Sequence, residues 1–160
     1  NQQREEAARE RRVSIAAARA EEDACARALT IARAASSQCG VVSLDLSVVA
    51  TEALVDYDVF VVSVTVNECQ CLVRQRYTDL RQLDAKMRDL GTLSTPFPPK
   101  KFFGARDPAF LNTRMADLDN YMKELSAQAS PEQLCAAALY LLEPTVQAKP
   151  SPTPAESKAP

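Results

Sequence analysis

The sequence predicts an α+β fold in which a three-stranded antiparallel β-meander packs against a helical subdomain of three or more helices. Three observations predict this fold. β-Branched residues recur with a period of two between about residues 41 and 77, apolar residues then recur at helical spacing as far as residue 143, and a proline-rich loop separates the first two helices of that second part. Strands followed by helices are typical of helices packed on one side of a small sheet.

The strands are predicted from two apolar segments and a third segment that follows a tight turn. "VVSLDLSVVATEALV" and "DVFVVSVTV" are rich in β-branched residues, and in the second segment Val62, Val64 and Val66 point to the face opposite Ser63 and Thr65. A turn is expected at residues 67–68, and "CQCLVRQRY" after it predicts the third strand. Short connections between the strands indicate an antiparallel meander.

The helical part begins at Thr78, where apolar residues take up a spacing of three and four. Gly91 is expected to end the first of these helices. Asp107 is predicted to cap the next helix with Pro108 at its first position, and Ser130 with Gln133 forms the capping box of the last one. We expect residues 41–143 to form one domain.

The two ends of the chain differ from this domain in composition. Residues 1–38 are rich in alanine, arginine and glutamate, which predicts a helical N-terminal extension. Because bulky apolar residues are few there, we expect this helix to dock weakly and to add little to the core, with a coiled-coil partner as an alternative. Residues 144–160 are rich in proline, alanine and serine and are predicted to be disordered. The chain begins with Asn1, and we expect a fragment of a longer protein.

Composition excludes several classes of function. The chain of 160 residues has no histidine, which excludes catalytic systems that use a histidine base. Its 5 cysteines are scattered and its 3 glycines form no phosphate-binding loop, so we expect neither a metal site nor a cofactor, and no enzymatic activity. No apolar run is long enough to cross a bilayer, and no secretory signal is visible. A pI of about 5.3 argues against nucleic-acid binding.

Three segments, in this order, carry a resemblance to a known family. They are "RYTDLRQL" at 76–83, "FPPKKFFG" at 97–104 and "FLNTRMADLDNYMKEL" at 110–125. Together they resemble the phox-homology (PX) domains, which have three antiparallel strands and a helical subdomain and which bind phosphoinositides on endosomal membranes. Leu80 departs from the family, which usually has phenylalanine at this packing position.

The resemblance implies a headgroup site of five residues. Arg76 would contact the 3-phosphate, Tyr77 would lay its ring against the inositol, Lys100 would meet the 1-phosphate, and Arg114 would bind the 4- and 5-hydroxyls. Thr78 is expected near the N-cap of the first helix, where backbone N–H groups point at an anion. Taken singly, each arginine has a plainer interpretation, as the ion-pair partner of a nearby aspartate at position 79 or 117.

The proline-rich loop adds a membrane contact to the expected function. Phe102 and Phe103, held out by the diproline, are candidates to enter the bilayer, and Lys101 would add attraction to anionic lipid. The alternative is that Phe103 packs on the core and that only Phe102 is exposed. The resemblance thus implies a non-catalytic, cytoplasmic module that recognises phosphatidylinositol 3-phosphate and recruits its parent protein to endosomal or vacuolar membranes. The alternative is a protein-interaction module of the same fold that uses the proline-rich loop or the N-terminal helix to bind a partner.

Overall fold

Three strands form the predicted antiparallel meander. The structure is a computed structural model, which describes residues 1–37, 42–100 and 106–147, with the side chains of the last segment described as far as residue 143. Strand β1 spans Leu44–Ala53, β2 spans Asp58–Val66 and β3 spans Cys69–Gln75, in the sheet order β1-β2-β3. Both pairs of neighbours are antiparallel, and the register of β1 on β2 shifts between Val48 and Ala50, which marks a β-bulge. The α+β fold class is therefore confirmed.

A two-residue turn connects β2 to β3 at the predicted position. Asn67 and Glu68 have φ angles of 45° and 73°, in the left-handed region that a tight hairpin turn requires. The Asn67 side chain accepts a hydrogen bond of 2.7 Å from the backbone N–H of Ser43, and its own N–H donates to the Ser43 carbonyl at 2.9 Å. The turn is thus fixed against the segment that leads into β1.

The alternation in β2 places its valines in the core. Val62, Val64 and Val66 are fully buried on the face that the helices cover. On the other face Ser63 is buried as well, and its hydroxyl accepts a 2.9 Å hydrogen bond from the Gln70 side chain on β3. The polar residue is therefore satisfied within the sheet, where its burial costs little.

Three helices follow the sheet, as predicted. Helix α2 spans Tyr77–Leu90, α3 spans Pro108–Gln128 and α4 spans Pro131–Gln147. The Asp107 side chain caps α3 by accepting from the Ala109 N–H at 3.2 Å. Ser130 and Gln133 form the capping box at the start of α4, each side chain accepting from the other's backbone N–H, at 3.2 and 2.8 Å. Local sequence signals thus place both helix starts correctly.

Helix α2 ends at Gly91 for a reason that involves another helix. The Gly91 N–H donates to the Met87 carbonyl at 3.1 Å, and the φ of Gly91 is 176°, which any residue adopts. A Cβ atom at this position would lie 3.0 Å from Nε2 of Gln133, whose amide donates to the same Met87 carbonyl at 2.9 Å. Glycine therefore accommodates the Gln133 side chain at the start of α4, which a Cβ atom would have to displace by a few tenths of an ångström.

Helix α3 is fastened to the bulge of β1 through one carboxylate. Asp119 accepts hydrogen bonds from the Ser47 hydroxyl at 2.8 Å and from the Val48 N–H at 2.9 Å, and it forms an ion pair with Lys123 at 2.9 Å. Partial burial opposes the ionisation of Asp119, but these three donors outweigh it and lower the pKa of the carboxyl. The charged carboxylate thus holds the middle of α3 against β1 next to its β-bulge.

The N-terminal helix, α1, spans Gln2–Ser37 and docks on the domain by its second half. Four small or apolar residues of that half are almost fully buried in the same core as the sheet: Cys25, Ala28, Leu29 and Ala32. Ion pairs flank this contact, from Arg33 to Glu143 at 3.5 Å and from Arg74 to Glu21 at 3.2 Å. The expectation of a helix that adds little to the core is wrong for this half, because alanine lets the helix backbone approach α4 and β3 closely without bulky residues.

The C-terminal region departs from its predicted limit. Helix α4 continues through Gln147, whereas the tail was expected to begin at residue 144. The rest of the tail, where disorder was predicted, lies outside the described residues. In the segments that the structure does describe, no helix combines the length and the hydropathy needed to cross a membrane.

The buried half of α1 leads to a prediction about stability. Changing Leu29 to alanine should lower the free energy of unfolding by about 2–5 kcal/mol, because the side chain is 2% exposed and leaves a cavity between α1 and the core. Urea unfolding followed by circular dichroism measures the change. The matched control is Ile15→Ala on the exposed half, where the side chain is 55% exposed and the expected change is within about 0.5 kcal/mol. Equal losses in both variants would show that α1 does not dock as described.

Candidate functional site

One cavity of about 220 Å³ lies where the start of α2, the proline-rich loop and the start of α3 meet the ends of β2 and β3. Its lining includes all five residues that were predicted from the sequence to form a headgroup site: Arg76, Tyr77, Thr78, Lys100 and Arg114. These residues come from three separate segments of the chain, so their convergence results from the tertiary fold.

Arg76 occupies the junction between β3 and α2. Its backbone is extended, with ψ of 163°, and its exposed side chain places the guanidinium carbon 4.1 Å from the centre of the Tyr57 ring. The ion pair with Asp79 does not form; the Asp79 carboxylate instead accepts the Arg76 backbone N–H at 2.9 Å. Within the described residues Arg76 has no ion-pair partner, so its planar set of donors is available to an anion.

The start of α2 differs by two residues from the sequence prediction. Arg76, rather than Thr78, is the N-cap residue, and Thr78 is the second residue of the helix. The expected position was shifted because the apolar periodicity begins only with the buried Leu80. Thr78 is nevertheless exposed at the edge of the cavity, in the first turn, where backbone N–H groups lack helical partners and the helix dipole favours negative charge.

Tyr77 connects α2 to the proline-rich loop. Its hydroxyl donates a 2.6 Å hydrogen bond to the Pro98 carbonyl, and its ring centre lies 5.4 Å from that of Phe97. The ring of Phe97 in turn meets Tyr121 edge-on at 5.0 Å. The orientation of the Tyr77 ring in the cavity wall is therefore fixed by contacts at both its edge and its polar tip.

Arg114 is the buried cation of the site. It is 6% exposed, and its Nη2 donates to the Pro99 carbonyl at 2.8 Å. The guanidinium carbon lies 4.1 Å from the centre of the Tyr77 ring and 4.7 Å from that of Phe110, as expected of a planar, weakly hydrated cation. The plainer alternative, a solvated side chain paired with Asp117, is not what the structure has, because the Arg114 side chain is buried against the Pro99 carbonyl of the proline-rich loop.

Lys100 is exposed and lines the cavity from the proline-rich loop, at the end of the described part of that loop. The neighbouring residues with an expected role in membrane contact, Lys101, Phe102 and Phe103, lie outside the described residues, so that role stays a prediction.

A buried polar network anchors the first part of the proline-rich loop. The Tyr121 hydroxyl donates to the Asp84 carboxylate, which is bound by Nε of Arg88 at 3.0 Å. The other donors of Arg88 reach the carbonyls of Leu93 at 3.3 Å and Thr95 at 2.6 Å. Burial, and then the bond to Asp84, raise the pKa of Tyr121 far above its ordinary value, so the hydroxyl remains a donor. The described part of the loop, which carries Lys100, is thus held by side-chain donors near residues 93–95 and again at residues 98–99.

Tyr57 and Arg106 are among the lining residues that were not predicted from the sequence. Arg106 forms an ion pair with Asp58 at 3.0 Å and donates to the carbonyls of Leu54 at 2.8 Å and Val55 at 3.1 Å. It therefore fixes the connection between β1 and β2, which carries Tyr57. No local pattern indicates these contacts, because the partners of Arg106 lie about fifty positions earlier in the chain.

The chemistry of the cavity suits an anion that also has a flat face. Cations from three segments of the chain line it, and the aromatic rings of Tyr57, Tyr77 and Phe110 lie beside the arginines. Asp56 and Asp58 add two carboxylates to the wall. Across the described ranges, no group of histidine, cysteine, aspartate or glutamate side chains is arranged to hold a metal ion.

Comparisons with known proteins identify a family. A family model described as "PX domain" matches residues 63–144, about half of the chain. No curated protein matches the chain. Among solved structures 13 chains match; one of them is the X-ray structure of a designed CISK-PX domain, with 20% sequence identity and a TM-score of 0.45, in a match that covers 54% of this chain and 92% of that chain.

The anchoring network leads to a prediction about the loop. Changing Arg88 to glutamine should lower the free energy of unfolding by about 1.5–3 kcal/mol, because two loop carbonyls and the Asp84 carboxylate lose a charged donor. Arg81→Gln is the matched control, since Arg81 is exposed on the same helix, and its expected change is within about 0.5 kcal/mol. Urea denaturation of both variants distinguishes the two results. If the two arginines prove equivalent, the network does not stabilise the loop.

Proposed function

The chain belongs to the phox-homology (PX) domain family, and on that premise we propose that its cavity binds the headgroup of phosphatidylinositol 3-phosphate. Members of this family are non-catalytic modules that bind phosphoinositides. The observation that carries the proposal is the convergence of Arg76, Tyr77, Lys100 and Arg114 on one cavity. Each of these residues has the chemistry that a phosphorylated inositol ring requires.

The proposed contacts follow from how each cation is held. Arg76 has its donors available and forks onto the 3-phosphate, while Lys100 meets the 1-phosphate as a point charge. Arg114 is held by the Pro99 carbonyl and two aromatic rings, and its remaining N–H groups suit neutral hydroxyls at the 4- and 5-positions. The Tyr77 ring is fixed by its bond to Pro98 before the ligand arrives, which reduces the entropy lost on binding.

The charges around the cavity support a preference for a headgroup with a single added phosphate. The only lining cation beyond those already assigned, within the described residues, is Arg106, whose donors are engaged by Asp58 and two carbonyls. Asp56 adds a carboxylate to the same wall, whereas the charge of Asp58 is balanced by Arg106. A second ring phosphate near Asp56 would meet negative charge without a cation to balance it, and the unfavourable contact would reduce its affinity.

An exposed apolar tip beside the cavity supports docking on a bilayer. Val55 is 93% exposed and Leu54 is 44% exposed in the connection between β1 and β2, directly before the lining residues Asp56 and Tyr57. Arg106 holds the carbonyls of both, so the tip is presented on a fixed backbone. We propose that Val55 enters the lipid surface together with Phe102 and Phe103, whose membrane contact is predicted from the sequence. Through this contact the domain would recruit its parent protein, as a peripheral protein, to endosomal or vacuolar membranes.

Protein binding through the proline-rich loop is the second candidate. A polyproline ligand presents its carbonyls to its receptor, but the carbonyls of Pro98 and Pro99 are taken by Tyr77 and Arg114. The described part of the loop therefore favours the lipid proposal over this alternative.

Substitution of Arg76 tests the headgroup site. Arg76→Ala should remove most binding both to vesicles that carry phosphatidylinositol 3-phosphate and to a water-soluble short-chain form of the lipid, because the phosphate loses its fork of donors. Thermal unfolding should be little changed, since the side chain is exposed. Arg81→Ala is the control, with the same loss of charge on α2 away from the cavity. Binding by Arg76→Ala equal to that of the unaltered protein would refute the assignment.

Substitution of Val55 tests the bilayer contact separately. Val55→Ser should weaken vesicle binding by about tenfold, from the lost burial of one apolar side chain, and should leave binding of the soluble short-chain lipid unchanged. Val49, which is 49% exposed within β1, provides the control variant Val49→Ser with no expected loss. A fall in soluble-lipid binding equal to the fall in vesicle binding would assign Val55 to the headgroup site instead.

A further inference from the structure

The exposed half of α1 carries a one-sided distribution of charge that nothing described so far uses. Residues 1–20 include five arginines and three glutamates, and residues 9–20 are all exposed. Successive residues of an α-helix are rotated by about 100° around its axis. Viewed along the axis, four of the arginines and an exposed isoleucine fall within one sector that is about 100° wide, and all three glutamates fall outside this sector. The residues of this face, called the arginine face below, are Arg4, Arg11, Arg12, Ile15 and Arg19.

The contacts of the docked half set the direction in which this exposed half points. The Cys69 thiol, at the start of β3, lies 3.7 Å from the Ala24 carbonyl, and Arg74, near the end of β3, pairs with Glu21. Lower residue numbers on α1 therefore meet higher numbers on β3, and the helix leaves the sheet at the end where β3 runs into Arg76. Because Arg74 and Arg76 are two residues apart, the exposed half begins about 7 Å along the strand direction from the first cation of the cavity.

The exposed half extends from this point as part of a continuous helix. Helix α1 spans Gln2–Ser37 without interruption, and its exposed half, residues 1–20, is about 30 Å long. Because the exposed half begins beside the cavity, a bilayer whose lipid headgroup occupied the cavity would be the nearest large surface for this helix to contact.

We propose that the arginine face of α1 binds the anionic surface of the same bilayer that holds the headgroup in the cavity. Arginine guanidinium groups match lipid phosphates and carboxylates, and Ile15 adds a shallow apolar contact within the face. With one bulky apolar residue, this contact is mainly electrostatic, which makes it reversible and sensitive to salt. The location of the bilayer in this inference rests on the proposed function of the cavity.

The test compares two double variants with equal loss of charge. Arg11→Gln with Arg19→Gln removes two charges from the arginine face, and Arg9→Gln with Arg27→Gln removes two exposed charges from another face of the same helix. Glutamine preserves helix propensity, and circular dichroism confirms that helix content is unchanged. The probes are vesicles of phosphatidylcholine with phosphatidylinositol 3-phosphate, prepared with and without phosphatidylserine.

The first double variant should lose about ten- to thirtyfold in affinity for vesicles that contain phosphatidylserine, and it should bind normally to the soluble short-chain lipid. The second should bind like the unaltered protein. An equal loss of vesicle affinity in both double variants would show that binding depends on net charge and not on the arginine face, and it would overturn the proposal. Unchanged vesicle binding by the first variant would also overturn the proposal. If that variant instead abolished self-association or the binding of an acidic protein, the arginine face would be assigned to a protein partner and not to the bilayer.

A further arm separates this inference from the proposed function. Vesicles with phosphatidylserine but without the phosphoinositide should retain weak binding that depends on the arginine face and is insensitive to Arg76→Ala. If the unaltered protein does not bind phosphatidylinositol 3-phosphate but still binds phosphatidylserine vesicles through the arginine face, the proposed function fails and the inference stands. Phosphoinositide binding that is indifferent to phosphatidylserine at low salt would refute the inference and leave the proposed function intact.

Discussion

The candidate site depends on how a loop without secondary structure is held in place by side chains of α2 and α3. The proline-rich loop cannot fix itself through a regular backbone ladder, because proline has no N–H to donate. Its carbonyls are instead bound by the Tyr77 hydroxyl and the Arg114 guanidinium at one end and by Arg88 at the other. Without these bonds Lys100 would have no defined position relative to Arg76, and the cavity would lack one wall.

The same residues have both a structural and a chemical task. Arg114 supports the loop through the Pro99 carbonyl and also borders the cavity, so its buried charge is compensated by a carbonyl dipole and two aromatic faces. Arg106 balances the Asp58 carboxylate and holds the connection that carries Tyr57. Because supporting residues and lining residues overlap, the shape of the cavity and its charge are set together.

The sequence predicts most of the fold because the relevant signals are local. Apolar periodicity, the Asp107 cap, the Ser130 capping box and the tight turn each depend on residues within a few positions of one another. The five nominated site residues follow from motifs of similar length, and the structure brings all five to one cavity. What the sequence misses is non-local: the contacts of Arg106 with the β1–β2 connection, and the docking of α1 by alanines whose small side chains give no hydrophobic stripe.

The small side chains that join α1 to the domain also have a mechanical consequence. Alanine and cysteine form low ridges, which resist sliding of one surface along another less than interdigitated leucines do. The longitudinal register of α1 therefore depends mainly on Leu29, the largest buried side chain of the contact, because the flanking ion pairs at Glu21 and at Arg33 are exposed and add little. A force applied to the far tip of the exposed half would act through a long lever, and the load would fall on the near edge of the contact, where Cys25 is the first buried residue.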